Sequence, residues 1–364
     1  MKITICGLTF TSSWGNGHAT TYRALARAMH ARGHEVVFFE RDLEWYASNR
    51  DMPEPPFCRV HIYERWRDVL PLLRREVADS DVAMVGSYFP DARNAIPEIL
   101  DSVTPVKAFY DIDTPITVSK LRSGDAEYLS RHQVPGFDLY FSFTGGPMLR
   151  ELETRFGAKR AVPLYCSFDP DRYRASESEP RFRYHLSYMG TYAPDRQAKL
   201  EEFLCKPALQ LPECNFIAAG PQYPGTIRWP KNVKRIIHVE PKFHAPFYSS
   251  SRFTLNLTRK DMVGAGYSPS VRLFEAAGCG AAIISDPWPG IETFFVPGDE
   301  ILLAESTTDV LSYLANLGAE DARIIGKRAQ ERVLTEHSAE KRAIQFEQFV
   351  GARDLARQYA LESI

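Results

Sequence analysis

The residues best suited to chemistry stand in one short segment, 267–286, where a predicted helix carries an arginine and a glutamate on one face. The helix is predicted to begin near Val271, and the exposed N–H groups of a first helical turn favour an anion. Arg272 adds a fixed positive charge within that turn, and Glu275 follows three residues later on the same face. A diphosphate at the helix start and a ribose on the carboxylate would satisfy both groups. The alternative is a capped surface helix with an Arg–Glu pair.

The residues before this helix supply a cap and a loop through which the backbone can approach a ligand. Ser268 or Ser270 can cap the helix, because a serine hydroxyl accepts hydrogen bonds from first-turn N–H groups. Gly264 and Gly266 form a glycine-rich stretch ahead of the cap. Glycine accepts backbone conformations that other residues avoid, so we expect a flexible loop there.

Two further glycine turns follow predicted strands in the second half of the chain. Gly190 and Thr191 come after one strand, where they can approach a phosphate, and Arg196 could pair with it. Gly220 follows the next strand and indicates a tight turn that lines the same pocket. Ligands of open α/β sheets bind at the carboxyl ends of strands, which is where these residues stand. A solvated helix start at Arg196 is the alternative.

The run EAAGCG, residues 275–280, resembles the donor site of GT-B glycosyltransferases of the retaining, glycogen-synthase-like kind. By that resemblance Glu275 holds the ribose of a nucleotide-sugar donor. The first glutamate of the family pattern falls at Tyr267, so the sugar contact and the stereochemistry stay open. Together the runs GYSPSVRLFEAAGCGAAIISDPWPGIETFFVPGDEILLA, YDIDTPIT, FSFTGGP, MGTYAPDRQ, AAGPQYP and LNLTRKDMV are similar to the CgeB-like (spore maturation protein B) branch, and they cover most of residues 105–305.

The resemblance implies a GT-B fold and a nucleotide-sugar donor, with a UDP-sugar as the expected donor and an unidentified glycan, protein or small molecule as acceptor. His238, at the end of a strand predicted over 235–238, falls where GT-B enzymes hold the base, and a buried structural histidine is the alternative. Arg259 follows the strand before the donor helix and is a phosphate candidate. The predicted donor site comprises Gly190, Thr191, Arg196, Gly220, His238, Arg259, Tyr267, Ser268, Ser270, Val271, Arg272 and Glu275.

A glycine-flanked histidine follows the first predicted strand. His18 opens the first predicted helix beside Gly15 and Gly17, which we expect to form a flexible loop. A helix N-terminus disfavours the charged imidazole, which leaves His18 neutral and able to act as a base. GT-B enzymes use this loop near the transferred sugar, so hydrogen bonding to the sugar or phosphate is a second role, and simple capping is a third. The loop lacks the Gly-x-Gly-x-x-Gly spacing of dinucleotide sites.

Asp111 and Asp113 form an Asp-x-Asp run after an apolar strand. Such a run binds the metal in the GT-A glycosyltransferase fold, but two βα domains with the donor site in the second do not fit GT-A. We therefore expect no metal, and we expect one of the carboxylates to act as a base or as an acceptor ligand. Capping of a proline-containing turn is the alternative. The candidate catalytic residues are His18, Asp111 and Asp113.

Short apolar runs alternate with amphipathic helices along the chain, which predicts parallel α/β architecture. The clearest unit is a strand over 3–8, a helix over 18–32 and a strand over 35–40. Prolines and turn residues near 165 mark a domain boundary. We expect two Rossmann-like domains facing a central cleft. The acceptor-side domain is predicted over 1–165 and completed by the helix 339–364, and the donor domain is predicted over 166–338.

The bulk properties exclude several classes of function. The chain has 364 residues, enough for two domains, and its formal net charge is −2. Nucleic-acid binders usually show a basic balance or stripe, and the sequence has neither. The six cysteines include no Cys-x-x-Cys pair, and no apolar stretch approaches the roughly 18 residues of a membrane helix. We expect a cytoplasmic protein with no cofactor, no metal, no nucleic-acid partner and no membrane span.

Two other functions remain open on the same fold, because a fold does not fix a function. Tyr267, in place of the expected glutamate, leaves room for a non-catalytic nucleotide-sugar-binding or scaffold protein. A GT-B-type nucleotide-sugar epimerase is the other interpretation.

Overall fold

The computed structural model describes residues 1–14, 17–125 and 127–361, with side chains as far as residue 351. The chain folds into two compact units. Unit 1 joins Met1–Cys166 to the segment that begins at Ala339, and unit 2 is the continuous segment Ser167–Ser338. Each unit is built on one parallel sheet, as the alternation of apolar runs and amphipathic helices predicts.

The sheet of unit 1 has seven parallel strands. They are β1 (Lys2–Cys6), β2 (Glu35–Arg41), β3 (Arg59–Tyr63), β4 (Val82–Gly86), β5 (Val106–Asp111), β6 (Leu139–Ser142) and β7 (Ala161–Pro163). Their order in the sheet is β3-β2-β1-β4-β5-β6-β7, so the winding direction reverses between β1 and β4. All five residues of β4 are buried, as is usual for a strand covered on both faces. Ligands of such sheets bind at the reversal point.

The sheet of unit 2 has six parallel strands. They are β8 (Leu186–Met189), β9 (Phe216–Ala219), β10 (Val233–Ile236), β11 (Phe253–Asn256), β12 (Ala282–Ser285) and β13 (Leu302–Leu303). Their order is β10-β9-β8-β11-β12-β13, with the reversal between β8 and β11. Leu186, Phe216 and Phe253 form part of the core of this unit and are fully buried.

The helices of the described residues cover the sheets. They are α1 (His18–Ala31), α2 (Glu44–Ala47), α3 (Trp66–Ala78), α4 (Ala92–Leu100), α5 (Thr114–Ser123), α6 (Pro147–Thr154), α7 (Pro194–Leu200), α8 (Lys206–Gln210), α9 (His244–Ser250), α10 (Lys260–Ala265), α11 (Val271–Gly278), α12 (Thr307–Asn316), α13 (Ala319–Glu336) and α14 (Ala339–Leu361). Within the described part of the chain, none of them has the length and apolar character that crossing a bilayer requires.

The last helix belongs to the first unit, because its apolar face packs beside β6 and α1. The ring of Phe346 lies 5.3 Å from that of Phe141 on β6. Glu347 on the same helix accepts hydrogen bonds from Arg32 Nε and Nη2, both at 2.7 Å, and its Oε1 lies 2.7 Å from Nε2 of His34. Aromatic burial and this charged cluster together hold α14 on unit 1.

One predicted strand is displaced by two residues. The sequence predicts a strand over 235–238, whereas β10 ends at Ile236 and His238 lies beyond it. The cause is the pairing with β9, in which Ile236 is the partner of Ala219. The next residue on the β9 side is Gly220, whose φ of +142° turns the backbone out of the sheet and ends the pairing.

Candidate functional site

The start of α11 is open to a ligand in a different way from the one the sequence predicts. Ser270 occupies the N-cap position, but its side chain forms no capping hydrogen bond with the helix. The Ser270 hydroxyl instead donates to Oδ1 of Asn256, at the end of β11, at 2.7 Å. The Ser270 hydroxyl therefore does not serve as the predicted cap.

Arg272 is held rigidly between the ends of β8 and β11. Its Nε donates to the carbonyl oxygen of Met189 at 2.6 Å, and its Nη1 donates to Oδ1 of Asn256 at 3.3 Å. The guanidinium carbon lies 5.3 Å from the ring centroid of Tyr188. No carboxylate of the described residues forms an ion pair with Arg272, so its positive charge is fixed in place and left for an anion.

The glycines after β8 and β9 let two loops touch through their backbones. A Cβ added to Gly220 would lie 2.0 Å from the carbonyl oxygen of Gly190. A Cβ added to Gly190 would lie 2.7 Å from the Tyr188 hydroxyl and 2.8 Å from Nη2 of Arg272. The position of Gly220 therefore requires glycine, whereas a Cβ at Gly190 would force the ends of the Tyr188 and Arg272 side chains to shift.

A second arginine stands beside this cluster. Arg196, near the start of α7, donates from Nη2 to the carbonyl oxygen of Thr191 at 2.6 Å. Its Nε is buried and has no hydrogen-bond partner among the described residues. Burial lowers the pKa of the Arg196 guanidinium, and the positive charges of Arg272 and Arg259 act in the same direction. An anion between these arginines would relieve both effects.

Arg259 has a protein partner of its own. Its Nε donates to Oδ2 of Asp195 at 2.8 Å, and the same oxygen accepts from the backbone N–H of Lys260 at 2.9 Å. The structure therefore brings Arg259 into an ion pair at the start of α10, and its charge is partly matched before any phosphate arrives.

Glu275 lies one turn after Arg272 on α11 and is partly buried. Desolvation raises the pKa of its carboxyl group. A hydrogen bond from Tyr173 and the positive charges of Arg172 and Arg272 oppose that rise. Glu275 is thus a carboxylate in a poorly solvated position, where hydroxyl donors of a ligand would be strong partners.

The segment before α11 differs from the flexible loop that the sequence predicts. Gly264 lies inside α10, because the helix runs from Lys260 to Ala265. Gly266 follows with a φ of +64°, and Tyr267 has a φ of +48°. The backbone N–H of Tyr267 donates to the carbonyl of Pro289 at 2.7 Å, and Ser268 is buried. The short helix and this hydrogen bond hold the segment, so the flexible-loop prediction is wrong for Gly264.

His238 stands apart from the arginine cluster in the loop between β10 and α9. It lines a cavity of about 240 Å³ together with Arg181, Phe182 and Phe243. The guanidinium of Arg181 lies 3.9 Å from the ring centroid of Phe243. The structure thus places His238 at a partly aromatic cavity rather than at a strand end.

In unit 1 the structure brings His18 and Asp113 together. His18 is the first residue of α1, and its Nε2 lies 3.0 Å from Oδ2 of Asp113, the N-cap residue of α5. The ring of Tyr88 meets the imidazole edge-on at 6.1 Å, and Tyr88 itself has a φ of +58°. Gly17 is the N-cap residue of α1, whereas Gly15 lies outside the described residues. Positive φ in a tyrosine is strained and often marks a functional position.

Asp111 does not join this pair as a second carboxylate. It is fully buried, and it accepts hydrogen bonds from the Tyr140 hydroxyl at 2.5 Å and from the Thr117 hydroxyl at 2.7 Å. Desolvation raises the pKa of Asp111 to about 7. Alternation along β5 turns its side chain into the interior, so the expected ligand or base role is corrected to an internal hydrogen-bonding role. Among the described residues, no group of three or more His, Cys, Asp or Glu side chains could hold a metal ion.

Sequence reasoning missed two contacts of the donor helix. Tyr173 reaches Glu275 from a turn about a hundred residues earlier, and His244 reaches Tyr173 from α9. Neither residue belongs to a recognisable motif, and only the fold brings the three segments together. Tyr88 was also missed, since a strained φ leaves no mark in a single sequence.

Comparison with known proteins gives the class of fold. Residues 196–348 match the family model described as Glycosyl transferase-like. A sucrose-phosphate synthase from Thermosynechococcus elongatus matches with a TM-score of 0.69 and 14% identity, over 98% of this chain and 99% of its own. HepE of Anabaena, solved with UDP and glucose, matches with a TM-score of 0.66 and 12% identity, over 97% and 100%.

A third similar structure is an α-glucosyltransferase solved with UDP-glucose and DNA containing an abasic site. Its TM-score is 0.69 at 12% identity, over 96% of this chain and 99% of its own. No curated protein matches the sequence. The fold is therefore GT-B, as predicted, with two parallel-sheet α/β domains. The matched segment runs through most of unit 2 and into α14, and its similarity to glycosyltransferases supports the predicted enzyme of glycosyltransferase type.

Proposed function

We propose that the protein transfers a sugar from a nucleoside-diphosphate donor, a UDP-sugar, to a hydroxyl group of an acceptor. The observation that carries the proposal is the fixed Arg272 guanidinium beside the start of α11, where the Ser270 side chain makes no cap, with Glu275 one turn further on. Arginine and first-turn N–H groups suit the two phosphates, and the carboxylate suits the ribose. The similar structures solved with UDP and UDP-glucose support UDP as the nucleotide.

The donor domain would act mainly on the leaving group. When the bond between the anomeric carbon and the diphosphate oxygen breaks, its electron pair goes to the diphosphate. Arg272, Arg196 and the helix start would oppose that negative charge in a poorly solvated place, where such stabilisation is strong. In this proposal the charge is carried by protein groups and no metal ion is required.

The acceptor would be activated in unit 1 by the His18–Asp113 pair. As the acceptor oxygen forms its bond to the anomeric carbon, its proton passes to Nδ1 of His18, the ring nitrogen that does not face Asp113. Asp113, 3.0 Å from Nε2, orients the ring and stabilises the positive charge that forms. The contact favours the role of base over simple capping, since a capping residue needs no carboxylate partner.

The finer assignments rest on the sequence resemblance. We further propose that the protein belongs to the CgeB-like branch, is cytoplasmic and has no resident cofactor. The acceptor is a hydroxyl-bearing glycan, protein or small molecule. The alpha-glucosyltransferase solved with DNA is a distant match, and the formal net charge of −2 gives no reason to propose a nucleic-acid acceptor.

A panel of nucleoside diphosphates and their sugars in a thermal-unfolding assay tests the donor site. A ligand at 100 times its dissociation constant should stabilise the fold by about 2.7 kcal/mol. We expect UDP and a UDP-sugar to raise the melting temperature of the wild type and to lose this effect in Glu275→Ala. Glu331→Ala, on the exposed face of α13, is the control and should behave as the wild type. A Glu275→Ala variant with an unchanged response to UDP would contradict the site.

A further inference from the structure

Tyr173 lies between the carboxylate of Glu275 and the imidazole of His244. The tyrosine is 2% exposed, its hydroxyl oxygen lies 3.2 Å from Nδ1 of His244, and the same hydroxyl is near enough to Glu275 to lower the pKa of its carboxyl group. Three segments that are far apart in the sequence therefore meet at Tyr173, beside Glu275 of α11. The mechanism proposed above uses only one of the three residues.

The hydrogen-bonding pattern of His244 follows from its second contact. Its Nε2 lies 3.0 Å from the carbonyl oxygen of Val239, and a carbonyl oxygen can only accept. Nε2 therefore carries the proton, and in the neutral ring Nδ1 is an acceptor. Tyr173 has a single hydroxyl proton, which can be donated to Nδ1 of His244 or to an ionised Glu275 but not to both at once.

Burial keeps the histidine neutral and works against the charge on the glutamate. Desolvation lowers the pKa of His244 to about 4 and raises the pKa of Glu275. The charged and titratable groups around this cluster affect each residue differently. The positive charges of Arg172 and Arg272 favour the ionised form of Glu275, and Glu275 in turn opposes ionisation of Tyr248 and Cys279. Arg172 and His238 disfavour the charged form of His244.

We propose that Tyr173 is a positioning residue of the nucleotide site, whose hydroxyl turns from His244 to Glu275 when the ribose of the donor binds. The inference rests on the proposed function, because it takes the ribose as the ligand of Glu275. The two ribose hydroxyls need an ionised carboxylate as their common acceptor. A proton donated by Tyr173 to that carboxylate holds its orientation and favours its ionised form. His244 is the alternative acceptor that the tyrosine uses while the site is empty.

Tyr173 and His244 should have opposite effects on the pH dependence of binding. Loss of the tyrosine hydroxyl removes a donor from Glu275, so the carboxyl group stays protonated to higher pH. Loss of the histidine acceptor leaves the tyrosine proton on Glu275 at all times, so the carboxyl group ionises at lower pH. The acid limb of the binding curve is the pH range in which protonation of Glu275 weakens nucleotide binding. A purely structural role of either residue would weaken binding without moving this acid limb in these two directions.

The experiment compares UDP with 2′,3′-dideoxy-UDP by titration calorimetry from acid to neutral pH. The wild type, Tyr173→Phe, His244→Phe and the control Tyr313→Phe, which loses a hydroxyl bonded to the Leu303 carbonyl in the same unit, are measured. In Tyr173→Phe we expect the preference for UDP over the dideoxy compound to fall roughly fivefold at neutral pH, the usual effect of one hydrogen bond. The acid limb should move to higher pH in Tyr173→Phe, to lower pH in His244→Phe, and not at all in Tyr313→Phe.

The outcomes separate the inference from the proposed function. If the wild type binds UDP with a clear ribose preference, and both variants keep its preference and acid limb, the role of Tyr173 is wrong and the donor site stands. If the wild type binds neither compound, the proposed function fails and the inference fails with it. Should Tyr173→Phe not fold, the shift of the acid limb in His244→Phe decides alone.

Discussion

Nε of Arg272 donates to the carbonyl oxygen of Met189 at 2.6 Å, so a side chain of the donor helix closes the end of β8. The contact fixes a guanidinium at the carboxyl edge of the sheet before any ligand is present. A pre-positioned charge loses little conformational entropy when an anion binds. The arrangement therefore makes definite predictions about which substitutions affect ligand binding and which affect folding.

Replacement of Arg272 should weaken nucleotide binding without unfolding the protein. Arg272→Ala removes a charged donor, and we expect the affinity for UDP to fall about 10- to 100-fold. Arg272→Lys keeps the charge but cannot keep both the Met189 contact and a phosphate contact. Its affinity for UDP should therefore lie between those of the wild type and Arg272→Ala. Calorimetric titration with UDP measures the effect. Equal affinity of Arg272→Ala and wild type would remove the arginine from the site.

Replacement of Gly220 should destabilise unit 2. A Cβ at this position would lie 2.0 Å from the Gly190 carbonyl oxygen, and the φ of +142° is unfavourable for any other residue. We expect Gly220→Ala to cost roughly 3 kcal/mol of unfolding free energy or more. The matched control is Gly225→Ala, because Gly225 is exposed and its added Cβ would contact nothing within 4 Å. Urea unfolding of both variants checks this, and two equal midpoints would refute the close approach of the loops.

Replacement of His18 should remove turnover and leave donor binding intact. A general base contributes about 100- to 10,000-fold to a rate, so His18→Ala should slow release of UDP from a UDP-sugar by at least about 100-fold. Asp113→Asn leaves the His18 imidazole in the protein but removes the negative charge beside it, so the turnover rate should fall less, by about tenfold. His30→Ala, an exposed histidine of the same helix, serves as control. Unchanged turnover in His18→Ala would exclude the histidine as base, and lost UDP affinity would point to a donor contact instead.

The buried Asp111 should make stability depend on pH. Its pKa is raised to about 7 in the folded protein, so the unfolded chain releases the proton first and stability falls as pH rises from about 4 to about 7. The slope from this group is at most about 1.4 kcal/mol per pH unit. Asp111→Asn cannot ionise and should flatten the dependence, whereas Asp101→Asn, on the surface, should not. Melting temperatures at about pH 5.5 and about pH 8 decide the matter, and parallel curves for Asp111→Asn and wild type would contradict the assignment.

Local patterns predicted the fold and the helix that carries the proposed donor site, because both depend on short-range periodicity. The apolar runs of β1 and β4, the start of α11 at Val271 and the spacing of Arg272 and Glu275 all follow from residues within a few turns of one another. The contacts that decide a residue's role are long-range. Ser270 turns to Asn256, and nothing near Ser270 in the sequence announces that β11 ends beside it.

The same limit explains the two acidic residues of β5 and its loop. Asp111 and Asp113 look equivalent in the sequence, but β-strand alternation and the loop after β5 send one inward to Tyr140 and the other toward His18. The end of β10 likewise depends on where its neighbour β9 stops. Such features need the positions of partners 17 to 95 residues away, which propensity and spacing do not contain.

Unit 1 is discontinuous and unit 2 is not, and this has a consequence for the order of synthesis. The whole of Ser167–Ser338 leaves the ribosome before the residues of α14 do. Unit 2 can thus close its sheet while unit 1 still lacks the helix that covers Phe141 and pairs with Arg32. A released chain that ends at Ser338 should therefore carry a protease-resistant second unit beside an unfinished first one.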